Sequence, residues 1–256
     1  MKIQILGAHN IESRESRFVS LLIDDVLAID AGALTSSLSQ VDQRKLKAVL
    51  LTHQHYDHIR DVPALGINFY LYESTINIYA TRTTYHVLQS HLLNDIVYPN
   101  YIVKPQKKPS IRFRTLESGK AAKIAGYTVL PVTVNHAVPT VGYQVTSADG
   151  KKVFYTADTG PGLADVWRQI SPDLLIIEVT APNGWRNFAL KTGHLTPELL
   201  QPELESFREI KSYLPQIVLV HMNPIDETEI KEEIAAVAGV LKTTIHFGRE
   251  GMILRL

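Results

Sequence analysis

The chemistry in this chain is concentrated in one stretch, Leu51-Thr52-His53-Gln54-His55-Tyr56-Asp57-His58. Three imidazoles and a carboxylate fall together directly after Ala48-Val49-Leu50-Leu51, a short apolar run that predicts a buried strand. On extended backbone His53 and His55 project to the same side, because side chains alternate along a strand. Asp57 and His58 come on the turn that follows and can offer a second, separate ligand set. Neutral imidazole and ionised carboxylate are donors that zinc, manganese and iron(II) accept. The spacing therefore predicts a pocket able to hold two cations.

Further candidates stand at the ends of other predicted strands. His136 follows the strand at 129–134, Asp158 the strand at 153–157, and His221 the strand at 217–220. The carboxyl ends of strands are where α/β sheets place their sites. His194 lies in Gly193-His194-Leu195-Thr196-Pro197, which leads into a helix with Thr196 as N-cap and Pro197 at the first helical position. A turn beside a positive helix end suits an anionic ligand. Asn183 and Arg186, after Ile177-Glu178-Val179-Thr180-Ala181-Pro182, are candidate contacts to such a ligand. His86 and His91 fall on a predicted helix and are read as helix residues, not ligands.

The elements that must position these groups are legible in outline. Strands are expected at 2–6, at 18–23 and 26–29 as a hairpin turned at Asp24-Asp25, at 48–51 and at 76–80. Helices are expected at 34–46, from Val62, and at 81–93. Residues 94–109, with tyrosines and Lys104, Lys107 and Lys108, read as an irregular surface excursion of the kind that rims sites or packs on a second copy of the chain. Strands then recur at 111–116, 121–124, 127–134, 141–146 and 152–157, with a hairpin signal at Asp149-Gly150. Helices at 162–170, 197–213 and from Asp226 to about 240 alternate with buried strands at 174–177 and 217–220. Asp226 with Glu229 reads as a capping box. Strands at 244–247 and 252–256 close the chain. Val26-Leu27-Ala28-Ile29-Asp30-Ala31-Gly32 is echoed by Val153-Phe154-Tyr155-Thr156-Ala157-Asp158-Thr159-Gly160. The echo implies two related halves: two sheets face to face with helices outside, as one domain over residues 1–256.

Composition narrows the function. The 256 residues are 45% hydrophobic, enough for a sizeable core, and carry 26 basic against 26 acidic side chains. Zero net charge argues against a partner held through a whole-molecule field, such as long nucleic acid. A small anionic substrate fits, since bound ions would supply local positive charge. With no cysteine there is no disulfide, thiolate cluster or cysteine nucleophile. The amino terminus alternates like a strand and lacks a signal-peptide core, and no run reaches membrane-span length, so a cytoplasmic protein is expected.

His53-Gln54-His55-Tyr56-Asp57-His58 resembles the His-x-His-x-Asp-His signature of the metallo-β-lactamase superfamily. The resemblance implies an α/β fold of the αββα four-layer sandwich type. It implies His53, His55 and His136 on a first metal, Asp57, His58 and His221 on a second, Asp158 bridging both, and Asp30 orienting a ligand. Two divalent ions, zinc first with manganese or iron as alternatives, are the implied cofactors. Glu178-Val179-Thr180-Ala181-Pro182-Asn183 and Gly193-His194-Leu195-Thr196-Pro197 are similar to the Glu-x-Ser-x-Pro-Asn run and Gly-His-Leu-Thr-Pro turn of class II 3',5'-cyclic-nucleotide phosphodiesterases. The run Leu-Ala-Ile-Asp-Ala-Gly-Ala-Leu at 27–34 and His58-Ile59-Arg60-Asp61 also look like that family. Thr180-Ala181 departs from it, as does His9, where small residues are expected. The resemblance implies attack of a metal-bridging hydroxide on a cyclic nucleotide such as cyclic AMP. Asp57 would bind a metal and orient the nucleophile, and His194 would stabilise charge or protonate the leaving oxygen. The alternatives are an endoribonuclease of the transfer-RNA 3'-processing type, another phosphodiesterase of the same fold, and a binding module without turnover.

Overall fold

The computed structural model describes residues 1–256. The first sheet takes β1 (Lys2–Gly7), β2 (Ser20–Ile23), β3 (Leu27–Ile29), β4 (Ala48–Leu50), β5 (Ile76–Ala80) and β6 (Ile111–Thr115). The second takes β7 (Ala122–Ile124), β8 (Tyr127–Val134), β9 (Thr140–Thr146), β10 (Lys152–Tyr155), β11 (Leu174–Glu178), β12 (Gln216–Val220) and β13 (Ile245–Phe247). The last strand, β14 (Ile253–Arg255), returns to the first sheet beside β1. Strand orders are β14-β1-β2-β3-β4-β5-β6 and β13-β12-β11-β10-β9-β8-β7.

Alternation of apolar side chains explains why the sheets stack. Leu174 and Ile176 of β11, with Val218 and Val220 of β12, face the first sheet's Ile3, Ile5, Ile29 and Leu50 in the central core. Their neighbours Leu175, Ile177, Ile217 and Leu219 face outward, under the helices Pro197–Lys211 and Glu227–Leu241. On the opposite side Val49 and Leu51 pack beneath the helix Val62–Leu71. Sheets buried on both faces need the near-continuous apolar runs seen in β11 and β12. The result is the four-layer αββα sandwich that the sequence implied.

Topology collects the functional strand ends on one edge. β3 and β4 run parallel, as do β10, β11 and β12. β8 reaches that same direction through two antiparallel pairings, with β9 and then β10. Across the sandwich, the Tyr143 hydroxyl donates to the Leu51 carbonyl at 2.8 Å, and Val141 N–H to Thr52 O at 3.2 Å. At three strand exits the backbone turns left-handed: Asp30 (φ 59°), Ala157 (φ 60°) and His221 (φ 66°). Such conformations are uncommon outside glycine and cluster at functional sites. Asp30 and Ala157-Asp158 are the two ends of the internal echo.

Some local expectations change. Residues 34–46 form two single turns, Leu34–Ser37 and Gln40–Gln43, because Leu38 is extended and the Ser39 hydroxyl restarts the helix by accepting from Asp42 N–H. The 81–93 helix is capped by Thr81 but widens into a π turn at Leu88–Leu92. Asp226 precedes its helix without capping it; its carboxylate instead accepts from Asn223 Nδ2 at 2.6 Å. Thr196 makes no side-chain cap bond either, and Asn183 Oδ1 takes the Glu198 N–H at 2.7 Å. The two closing strands go to different sheets. No helix is long and apolar enough to cross a membrane.

Candidate metal centre

Two ligand groups meet at the strand edge. His53, His55, His136 and Asp158 form one, and Asp57, His58, Asp158 and His221 the other, with the donor atoms of each group within 4.8 Å of one another. Asp158 belongs to both. Its Oδ2 lies 3.8 Å from His53 Nε2, 3.9 Å from His136 Nε2 and 3.3 Å from His221 Nε2. Its Oδ1 lies 3.2 Å from His58 Nε2. Asp57 Oδ2 is 3.3 Å from His58 Nε2 and 3.4 Å from His221 Nε2. All seven residues expected as ligands are therefore together, although their positions run from 53 to 221.

The free atoms fit cations. His53 Nε2, His58 Nε2 and Asp158 Oδ1 are buried without a hydrogen-bond partner, an arrangement that costs about 1–3 kcal/mol per group when nothing fills it. The other ring nitrogens are committed. His58 Nδ1 donates to Asp30 Oδ2 at 2.7 Å, and His136 Nδ1 to the Gly193 carbonyl at 2.8 Å. His53 Nδ1 meets the Thr52 hydroxyl at 3.0 Å, and His221 Nδ1 the Thr180 hydroxyl at 2.8 Å. Those hydroxyls in turn donate to Asp30 and Glu178, so both accept from the rings. In their neutral forms these four imidazoles are thus fixed as the tautomer that turns an Nε2 lone pair toward the centre.

Electrostatics agree. Burial, reinforced by neighbouring imidazoles, holds His53 well below its ordinary pKa, and lowers His55 and His136 too, so these rings stay neutral. Burial also works against charge on His58, but Asp158, Asp30 and Asp57 together raise it well above normal. Burial would push Asp158 and Asp57 up, yet the facing imidazoles hold both below the usual carboxylate range. Three carboxylates around one buried ring form a negative pocket that calls for positive charge. Asp30, fully buried, has a raised pKa from burial, moderated by His58 and Thr52.

Beside the second group sits His194. Its ring stacks on His221 with centroids 5.4 Å apart, and its Nδ1 donates to Glu178 Oε1 at 2.7 Å. Burial alone would lower its pKa; the Glu178 charge and hydrogen bond outweigh that and raise it to about 9. Glu178 also accepts from Thr159 N–H, the Thr180 hydroxyl and Leu195 N–H. A third possible ligand group, Glu178, His194 and His221, is consumed by these bonds. Sequence reasoning gave Glu178 and Thr180 no role in holding the site. The available signal was a carboxylate closing the fully apolar strand Leu174–Ile177, a position that burial makes costly without several donors. Thr180 keeps a hydroxyl where the class II run carries Ser. His9, the other departure, is buried and bonds Glu250 at 2.7 Å.

The metal groups open into a cleft of about 390 Å³, bordered by Asn10, Phe18, Tyr56 and Phe188 as well as His194. Asn183 and Arg186 are not on its walls. The Asn183 side chain caps the helix Pro197–Lys211, and Arg186 Nε pairs with Glu198 at 3.4 Å.

The family and the fold are shared with known proteins. The Beta-lactamase superfamily domain family matches residues 21–222. The chain therefore belongs to the metallo-β-lactamase superfamily, whose members are metal-dependent hydrolases. No curated protein matches the sequence. Among solved structures, it is similar to unliganded yeast PDE1 (TM-score 0.86, 17% identity, covering 100% of this chain and 99% of the other). It is similar to YhfI, a metallo-beta-lactamase fold protein from Bacillus subtilis (TM-score 0.75, 20% identity, 99% and 98% covered). Human tRNase Z, short form, also superimposes (TM-score 0.69, 19% identity, 100% and 99% covered).

Proposed function

We propose that this chain is a dinuclear metal-dependent phosphodiesterase that hydrolyses 3',5'-cyclic nucleotides of the cyclic AMP kind. The observation that carries this reading is the His194–Glu178 pair beside two cation sites that share Asp158. His53, His55 and His136 would hold one ion, Asp57, His58 and His221 the other, with Asp158 between them. When bound, the ions supply positive charge for phosphoryl oxygens and lower the pKa of water toward neutrality. Asp57, on the cleft wall, orients the attacking water. His194, held protonated by Glu178, offers its remaining N–H at Nε2 to the departing 3' oxygen. Binding of an anionic ester is favoured by this imidazolium, and Asp30 keeps His58 aimed.

Four further readings go with this proposal. Zinc is the preferred ion for a His and Asp set, with manganese or iron(II) also accepted. Residues 1–256 act as one domain, since the central core draws on residues from Ile3 to Leu254. The protein works in the cytoplasm, and the excursion at 94–109 offers a homodimer contact through exposed Ile96 and Val97.

Zinc- or manganese-loaded protein should be offered cyclic AMP, bis-(p-nitrophenyl) phosphate and a precursor transfer RNA. Turnover of the first two supports the proposal. Cleavage of the RNA alone would transfer the chain to the endoribonuclease reading, and no turnover of any would remove both.

A further inference from the structure

A second, smaller hollow of about 150 Å³ opens off the metal cleft, and Asn10, Thr180 and Phe188 line both. Its remaining walls include Trp185, Asn223 and Asp226. Trp185 and Phe188 stand edge to face with centroids 6.1 Å apart, and they are 56% and 53% exposed. Large aromatic faces left in water beside a reaction cleft are not explained by folding, since neither packs into a core.

Polar groups lining the same hollow are equally unspent. Asp226 has no cationic partner and does not cap its helix; one of its oxygens accepts from Asn223 and the other has no hydrogen-bond donor. The Asn10 amide oxygen is buried without a partner, and its terminal torsion is soft enough to turn that oxygen into the hollow. Unfilled acceptors on Asp226 and Asn10, lining the same hollow as an aromatic pair, suit a flat ligand with N–H groups on its edge.

We infer that this hollow is the subsite for the nucleobase of the substrate, which stacks on Phe188 and Trp185 and donates its edge N–H groups to Asp226 and Asn10. The inference rests on the phosphodiesterase reading for where the phosphate lies, and adds which residues take the base. Any base has a π face, so stacking gives affinity; the acceptor pair favours bases carrying an amine or ring N–H. The helix Arg186–Thr192 that carries Phe188 also runs into Gly193-His194, which ties base binding to the turn holding the proposed acid.

The chain carries a built-in reporter. Of its two tryptophans, Trp167 is fully buried in the core and Trp185 faces the hollow. Adenosine 5'-monophosphate should quench tryptophan emission, ribose 5-phosphate should not, and Trp185→Phe should abolish the response. By calorimetry, Phe188→Ala should weaken adenosine monophosphate binding roughly tenfold, within the range of base–aromatic stacking, and Asp226→Ala should weaken it as well. Equal binding of the two phosphates, or no emission change on saturation, would overturn the inference. Failure of the phosphodiesterase reading shows separately, as no turnover of bis-(p-nitrophenyl) phosphate by metal-loaded protein.

Discussion

His194 Nδ1 lies 2.7 Å from Glu178 Oε1, joining a turn before one helix to the end of a central strand. Burial lowers its pKa, but that carboxylate outweighs this and raises it to about 9, which favours the proton-donor form of the ring. A proton donor matters most when the leaving group is basic. His194→Ala should therefore cut turnover of cyclic AMP by roughly 10²-fold or more. Turnover of bis-(p-nitrophenyl) phosphate, whose leaving group needs no proton, should fall by less than about tenfold. Equal losses on both, in steady-state assays, would remove His194 from the proton-transfer step.

Asp30 touches no proposed cation, yet it receives the Thr52 N–H at 2.8 Å, the Thr52 hydroxyl at 2.9 Å and His58 Nδ1 at 2.7 Å. It thus orients His58 directly and His53 through Thr52. Asp30→Asn should weaken metal affinity by roughly 10–100-fold, the usual effect of losing a carboxylate behind a ligating imidazole. Metal titration followed by calorimetry checks this, and unchanged affinity would make Asp30 a folding residue only.

Gly193 is in the left-handed region (φ 73°), and a Cβ there would lie 2.9 Å from both His136 Cα and Ala137 N. Gly193→Ala combines a backbone cost of about 1–2 kcal/mol with a push on the segment carrying His136. Thermal denaturation should show the loss of stability, and metal titration a weakened site at His53, His55 and His136. Wild-type values for both would contradict this packing role.

His9 is buried against Glu250 at 2.7 Å, with Glu227 at 3.8 Å. Burial lowers its pKa, but the two carboxylates more than offset this and leave it raised. Glu250, despite burial, is lowered by His9 and the Arg17 N–H. The His9 contribution is present below the unfolded value near 6.5 and is lost as pH rises through the folded value. That of Glu250 is present above about 4.5 and lost as pH falls through its own. His9→Gln should cost about 1–2 kcal/mol between these limits, and chemical denaturation should show the difference shrinking as pH rises above them. A difference independent of pH would contradict the ion pair.

Legibility in the sequence followed the range of the interactions. His53, His55, Asp57 and His58 could be read because one strand and one turn fix their relation. His136, Asp158 and His221 could be read because each ends an apolar run, and sheet topology puts such ends on one edge. The bonds of Glu178 could not, since its donors lie at Thr159, Thr180, His194 and Leu195. Capping was misread where side chains competed. Asn223 took Asp226, and Asn183 reached the helix end that Thr196 was expected to serve. Nor can sequence show that Glu198 engages both Asn183 and Arg186.

The central claim is that chain-distant imidazoles and carboxylates cage a pair of cations around Asp158. Its most direct test is metal content per chain by elemental mass spectrometry, for the wild-type protein and Asp158→Ala prepared side by side. The account predicts two divalent ions per wild-type chain and loss of metal from the variant. Fewer than one tightly held ion in the wild type, or two ions kept without Asp158, would contradict it.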